Sequence, residues 1–305
     1  MSPTWKVHLV LFIAALIQGF NFSLAKIVMP EFVSPGAIIV IRGICAAAVF
    51  WIISPMIPDV RIARSDYGRI LLCSLSGIVI NQLLFYKGLS LTQPINASLM
   101  VTIIPIMVLL ISACTLGEKI TLQKIVGITL GATGVILLIL SGSDQGPNDI
   151  FLGDLMILIN ATSYAVFLVA VKPLMLKYHP VHMLKWMFTI GLFFVIPFGY
   201  EGILKIQWQT MPLDALFALF YVVIFATIVV YLLNTGVLKT ANPSLAGIYI
   251  YIQPLLAIII AVLLNQDQLT LYKVIFSSMI LLGVFLVSKD HNKPPLSNIQ
   301  KSLLN

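Results

Sequence analysis

The chain has 305 residues, of which 60% are hydrophobic and only 10% charged, and it carries a formal charge of +7. A soluble domain carries about 25% charged residues, so this chain could not cover its surface with polar groups in water, and its solvent is largely lipid. No basic stretch is interleaved with aromatics, so the positive charge reads as the cytoplasmic loops of a membrane protein and not as a nucleic-acid surface.

Within a bilayer the backbone must satisfy its own hydrogen bonds, so the spanning elements are helices or closed barrels. The apolar runs here are long and continuous instead of alternating, which selects helices. A spanning helix needs about 20 mostly apolar residues. Ten are expected, near 6–27, 35–55, 67–88, 94–116, 122–141, 151–172, 180–198, 212–236, 242–265 and 271–288. The first follows a single basic residue, Lys6, and is longer than a cleaved signal's apolar core, so it reads as a retained span. Pro35, Pro94, Pro180, Pro212 and Pro243 fall at or just inside helix starts, where a missing N–H does no harm. The fold class is therefore an all-α integral membrane protein of ten transmembrane helices.

The stretch from Gly88 to Leu138 returns at an offset of 149 residues without a gap. Pro94 meets Pro243, Pro105 meets Pro254, Glu118 meets Asp267 and Gly134 meets Gly283. The turn exits Thr121-Leu122-Gln123-Lys124 and Thr270-Leu271-Tyr272-Lys273 also coincide. This register indicates an internal duplication. The expected domains are a five-helix repeat at 1–141, a linker at 142–150, a second repeat at 151–288 and a cytoplasmic tail at 289–305. Twelve of the 18 lysines and arginines collect on one side of the spans and four on the other; Arg42 and Lys185 lie within spans. The richer side is cytoplasmic by the positive-inside rule, with both termini there. Five spans per repeat is an odd number, so the repeats are inverted, as in many secondary transporters.

At these residues the chain resembles the EamA-type drug/metabolite transporter (DMT) superfamily. The likeness lies in Ala97-Ser98-Leu99, Pro105, Gly117-Glu118, Thr121 and Gly134, with Ala246, Pro254, Thr270 and Gly283 at the matching positions of the second half. It extends to Gln18-Gly19-Phe20-Asn21-Phe22 with Lys26, Ser34-Pro35 and Ile41-Arg42. Departures are Gln18 where Trp is common, Gln253 where Glu often precedes the second proline, and Asn265-Gln266-Asp267 in place of the second Gly-Glu. The resemblance implies ten helices, a central cavity between the halves, and export or exchange of small metabolites. It does not name the metabolite.

Polar residues within spans usually face the bundle interior. Candidate substrate-binding residues are Gln18, Asn21, Arg42, Asn81, Gln82, Tyr86, Asn160, Tyr164, Tyr231, Asn234, Tyr249 and Gln253. Each either joins helices by hydrogen bonds or lines a cavity; as a set they predict a polar-aromatic central cavity. Neutral amides and phenols suit amphipathic solutes such as amino acids, with aromatic faces for apolar or cationic groups. Arg42 lies about 10 Å into its helix at 1.5 Å per residue. It snorkels outward, pairs internally, or meets a substrate carboxylate. Lys26 and Lys172 are expected to snorkel at helix ends, and Lys185 to reach the cytoplasmic interface. Pro105 and Pro254 are either static bends or gating hinges.

Gly127 and Gly131 form a GxxxG read as packing within the molecule. Cys45, Cys73 and Cys114 read as small buried apolar groups. There is no Walker loop, no HExxH and no GxSxG. No catalytic residue, metal ligand or cofactor is expected, and the chain reads as a non-enzyme. The eleven acids fall in connectors or near helix ends, which predicts no Asp or Glu proton relay in mid-span. The partners expected are a small-molecule substrate and the lipid bilayer of the inner (plasma) membrane, with no nucleic acid, for a monomer or homodimer. The competing class is a membrane-embedded enzyme or lipid-handling protein.

Overall fold

The computed structural model describes residues 4–58, 61–117, 120–143, 149–233 and 243–289, and its described residues contain helices and no strand. The ten helices are α1 (Thr4–Val28), α2 (Pro35–Ile53), α3 (Arg64–Leu91), α4 (Pro94–Thr115), α5 (Leu122–Ser143), α6 (Asp149–Lys177), α7 (Pro180–Leu204), α8 (Leu213–Leu233), α9 (Pro243–Leu263) and α10 (Leu271–Lys289). They correspond to the ten apolar runs. Their starts follow local chemistry. Ser34 caps α2 by accepting a hydrogen bond from the Ala37 N–H, with Pro35 in the first turn. His179 caps α7 ahead of Pro180 in the same way, through Nδ1. Gly117 ends α4 in the left-handed region at φ 68°, and Asn265 takes φ 53° in the turn after α9. Asn tolerates that conformation better than other side chains do. The second half thus keeps a left-handed turn where the glycine is missing.

The duplication extends to backbone irregularities. A π turn at Leu75–Ile80 interrupts α3, and another at Ile224–Val229 interrupts α8. Leu75 to Ile224 and Ile80 to Val229 are each 149 positions, the offset of the prolines. A π turn loosens the regular hydrogen-bond ladder and presents carbonyls to neighbours. The two prolines behave differently. Helix α4 breaks at Thr102–Ile103, and Pro105 sits in the first turn of the segment that resumes at Ile104. It therefore follows a break and does not bend a continuous helix. Pro254 lies inside continuous α9.

Helix packing joins the two repeats to each other. The main partners are α5 with α10, α2 with α7, α3 and α4 with α6, and α1 with α8 and α9. Gly127 and Gly131 of α5 lie against Gly283 of α10, so the GxxxG packs within the molecule. Gly36 of α2 and Gly199 of α7 cross as closely. Side chains such as Phe193, Leu213, Phe217 and Leu271 are exposed on the outside, where lipid is the natural solvent. Cys73 is buried as expected, but Cys114 is exposed on this outer surface and Cys45 is half-buried.

Candidate functional site

The π turn of α8 receives Arg42 from α2. The guanidinium Nε donates to Thr227 Oγ1 at 2.5 Å, and Nη2 reaches the Ala226 carbonyl at 3.5 Å. Thr227 Oγ1 in turn donates to Val222 O at 3.0 Å. The guanidinium carbon lies 4.7 Å from the centre of the Tyr86 ring, a cation–π geometry. Arg42 is 6% exposed. Its side chain points into the bundle and does not snorkel outward. Tyr86 is fully buried, and its hydroxyl donates to Asn21 Oδ1 at 3.4 Å. Tyr231 stacks edge-on against Phe188 at 5.3 Å and lies within electrostatic reach of Arg42, Tyr86 and Tyr164. Asn21, Arg42, Tyr86, Tyr164 and Tyr231 thus come from α1, α2, α3, α6 and α8 to one region of the interior. Sequence reasoning missed Thr227, although a lone threonine within an apolar span was a usable signal.

The other candidates separate. Asn81 and Asn160 bind each other's backbone: Asn160 Nδ2 donates to Asn81 O at 2.6 Å, and Asn81 Nδ2 to Asn160 O at 3.4 Å. One turn on, Ser163 donates to Ser76 O at 2.8 Å in the π turn of α3. This seam ties α3 to α6. Intramembrane hydrogen bonds average about 0.6 kcal/mol each, so Asn160→Ala is expected to cost about 1 kcal/mol of stability. Thermal unfolding in detergent should register that loss while flux per folded molecule stays unchanged; an intact melting temperature with lost flux would place Asn160 in the binding site. Gln82 is buried on the same helix as Tyr86. Gln18 and Gln253 are half-buried on α1 and α9, which meet at Gly19. Asn234 lies outside the described residues, as does the side chain of Tyr249.

One end of the bundle carries an ionic network that the sequence reading did not foresee. There α1, α3, α4, α6, α9 and α10 converge. Lys26 donates to the carbonyls of Leu89, Ser90 and Thr92 at 3.0, 3.3 and 2.5 Å. These are orphan acceptors at the C-terminus of α3, where a cation is favoured. Lys26 is thus an internal cap, whereas Lys172 is exposed. Asp267 pairs with Lys273, and their side chains are 1% and 4% exposed. Asp267 also accepts the Ile95 N–H at 3.2 Å, at the positive N-terminus of α4, and Lys273 donates to Gln93 Oε1 at 2.6 Å. Asp154, fully buried, accepts from the Thr92 hydroxyl and from Asn96 Nδ2. Acids near helix ends are therefore not all at the water interface: at this end two are buried between helices. A recess of about 280 Å³ opens beside them, lined by residues including Gln93, Gln266, Asp267, Thr270 and Lys273.

The opposite end is held differently. Asp66 accepts from the Tyr178 hydroxyl at 2.7 Å and from Lys177 at 3.3 Å, and the Tyr178 oxygen accepts the Ala63 N–H. Lys185 is buried, contrary to the expectation that it reaches the interface. It donates to Ser54 Oγ at 2.9 Å and lies 4.5 Å from the Trp51 ring centre. A histidine ring nitrogen of His182 sits 3.1 Å from Pro58 O. No cluster of three potential metal ligands occurs among the described residues.

Comparison with known proteins agrees with this architecture. The EamA-like transporter family matches twice, at residues 5–140 and 151–289. An uncharacterized transporter of Archaeoglobus fulgidus is 26% identical over 92% of this chain and 98% of its own length. The uncharacterized transporter YyaM of Bacillus subtilis is 22% identical over 98% and 99% of the two chains. A WAT1-related protein of Arabidopsis thaliana is 23% identical over 88% and 79%. A solved crystal structure superposes with a TM-score of 0.61 at 16% identity, covering 96% of this chain and all of the other, and is alike in fold.

Proposed function

The chain belongs to the EamA-like transporter family, and we propose that this membrane transporter exports or exchanges small metabolites, amino acids among them, by alternating access around its centre. The observation that carries this reading is the junction of Arg42 with the α8 π turn. A residue of the first repeat is held by the second, beside Tyr86 and Asn21. A solute bound there contacts both halves, so relative motion of the halves would change its access to each side.

The lysine and arginine count supports a plasma-membrane orientation with both termini cytoplasmic. In that orientation the Asp267–Lys273 network lies at the outer mouth. The family consists of transporters, which supports a non-enzymatic role. Use of Gly127 and Gly131 against Gly283 leaves that motif unavailable for pairing chains, which supports the monomer over the homodimer.

Counterflow in proteoliposomes tests the proposal. Vesicles loaded with an unlabelled amino-acid mixture should take up labelled amino acids saturably, and the label should be recovered unchanged. Chemical conversion of the label without uptake would sink the transport reading and favour a membrane enzyme.

A further inference from the structure

We propose that Arg42 is the anchor for a carboxylate of the transported solute, so that the substrate class is amphipathic carboxylates, amino acids and small organic acids, and not organic cations. This rests on the transport reading above and narrows it. Other buried or half-buried cations in the bundle are answered by nearby groups. Lys273 has Asp267. Lys26 lies on three carbonyls at the negative end of a helix. Lys185, near its helix end, has a hydroxyl and indole faces. Arg42 is about 10 Å into α2 at 1.5 Å per residue, and among the described residues no carboxylate pairs with it. The acceptors it meets there include the Thr227 hydroxyl and the Ala226 carbonyl, both neutral.

A guanidinium has five donors in a planar fork that matches a carboxylate's two oxygens. A buried charge without a counter-charge is unfavourable unless something neutralises it. The charge is not needed to brace a π turn. The matched turn in α3 is braced by the neutral hydroxyl of Ser163 on Ser76 O. The same backbone device is thus used twice, and only the copy in α8 meets a cation. The guanidinium lies over the Tyr86 ring, with Asn21 behind on that ring's hydroxyl and Tyr231 packed on Phe188 within electrostatic reach. These walls accept an apolar body, and the fixed positive charge repels a cationic one.

The test is thermal unfolding of the detergent-purified full chain against acid and amide pairs of the same solute. The probes are amino acids with their amides and short monocarboxylates with theirs. The acids that stabilise wild type should do so at least tenfold more tightly than their amides. Arg42→Gln should remove that preference, and Arg42→Lys should keep it with affinity at least tenfold weaker, because a point charge replaces a fork. If Arg42→Gln does not fold, Thr227→Val serves instead. It frees Nε while leaving the charge, and it should weaken acids several-fold and amides not at all. Amides or amines that bind wild type as well as acids overturn the anchor, as does unchanged acid binding in Arg42→Gln or Thr227→Val. If amides also move in counterflow, transport stands and only the anchor falls. If no probe of either kind binds or moves, both readings fall.

Discussion

Asp267→Asn is expected to destabilise the protein by about 3–5 kcal/mol, because it leaves Lys273 charged, buried and without its partner. The side chains of this pair are nearly sealed from solvent, so the exposed-pair figure of at most about 1 kcal/mol does not apply. The change also weakens the acceptor for the Ile95 N–H, which ties the turn before α10 to the start of α4. Lys273→Met alone should cost a similar amount by stranding the carboxylate. The double variant Asp267→Asn with Lys273→Met should recover most of the loss, since neutral, well-packed residues often replace a buried ion pair without penalty. Thermal or denaturant unfolding in one detergent measures all three. Additive losses in the double variant, or single losses below about 1 kcal/mol, would show that the pair is hydrated and contributes little.

Gly283→Ala is expected to cost about 1–3 kcal/mol, the usual range for an overpacked core, and Gly283→Leu to prevent folding. An added Cβ at Gly283 would lie 2.5 Å from Gly131 N, 2.6 Å from Gly127 O and 2.7 Å from Gly131 Cα. All three are backbone atoms, so no rotamer change can relieve the clash. Helix α10 would have to withdraw from α5 along its length. Gly68 supplies the control. A Cβ there meets nothing within 4 Å, and in a helix alanine is favoured over glycine by about 0.8–1.0 kcal/mol, so Gly68→Ala should be neutral or stabilising. Melting temperature together with monodispersity on size exclusion separates the two. Equal behaviour of Gly283→Ala and Gly68→Ala would mean that the α5–α10 crossing is loose.

Much of the fold was legible because lipid imposes one rule on every span. Hydropathy alone gave the ten helices, and the proline and turn-acid register gave the duplication. The π turns were not legible: Leu75–Ile80 and Ile224–Val229 are ordinary apolar stretches whose hydrogen-bond slip is decided by what packs against them. The site was read in part. That Arg42, Asn21, Tyr86 and Tyr231 belong to the interior followed from polarity within spans; that Arg42 meets Thr227 depends on a contact 185 residues away. Asn81 and Asn160 carried the same polarity signal but face each other's backbone, and polarity cannot tell a seam from a cavity. Asp154 and Asp267 lie near helix ends, where distance along the chain points to water. Their burial follows from six helices closing over one mouth, which no linear count contains. Yet Asp267 and Lys273 are visible in the sequence as repeat markers, the counterparts of Glu118 and Lys124, and only their pairing is not.

The pairing of α5 with α10 and of α2 with α7 has a consequence for ancestry. In each case a helix meets its own counterpart from the other repeat, at glycine seams where backbone touches backbone. Contacts of an element with its own equivalent are isologous, the kind that a two-fold axis generates between identical subunits. A single repeat could therefore have made both seams with a second copy inserted upside down, before fusion placed the two in one chain. Since then the halves have been free to diverge, and a guanidinium on one side of the axis no longer has to appear on both.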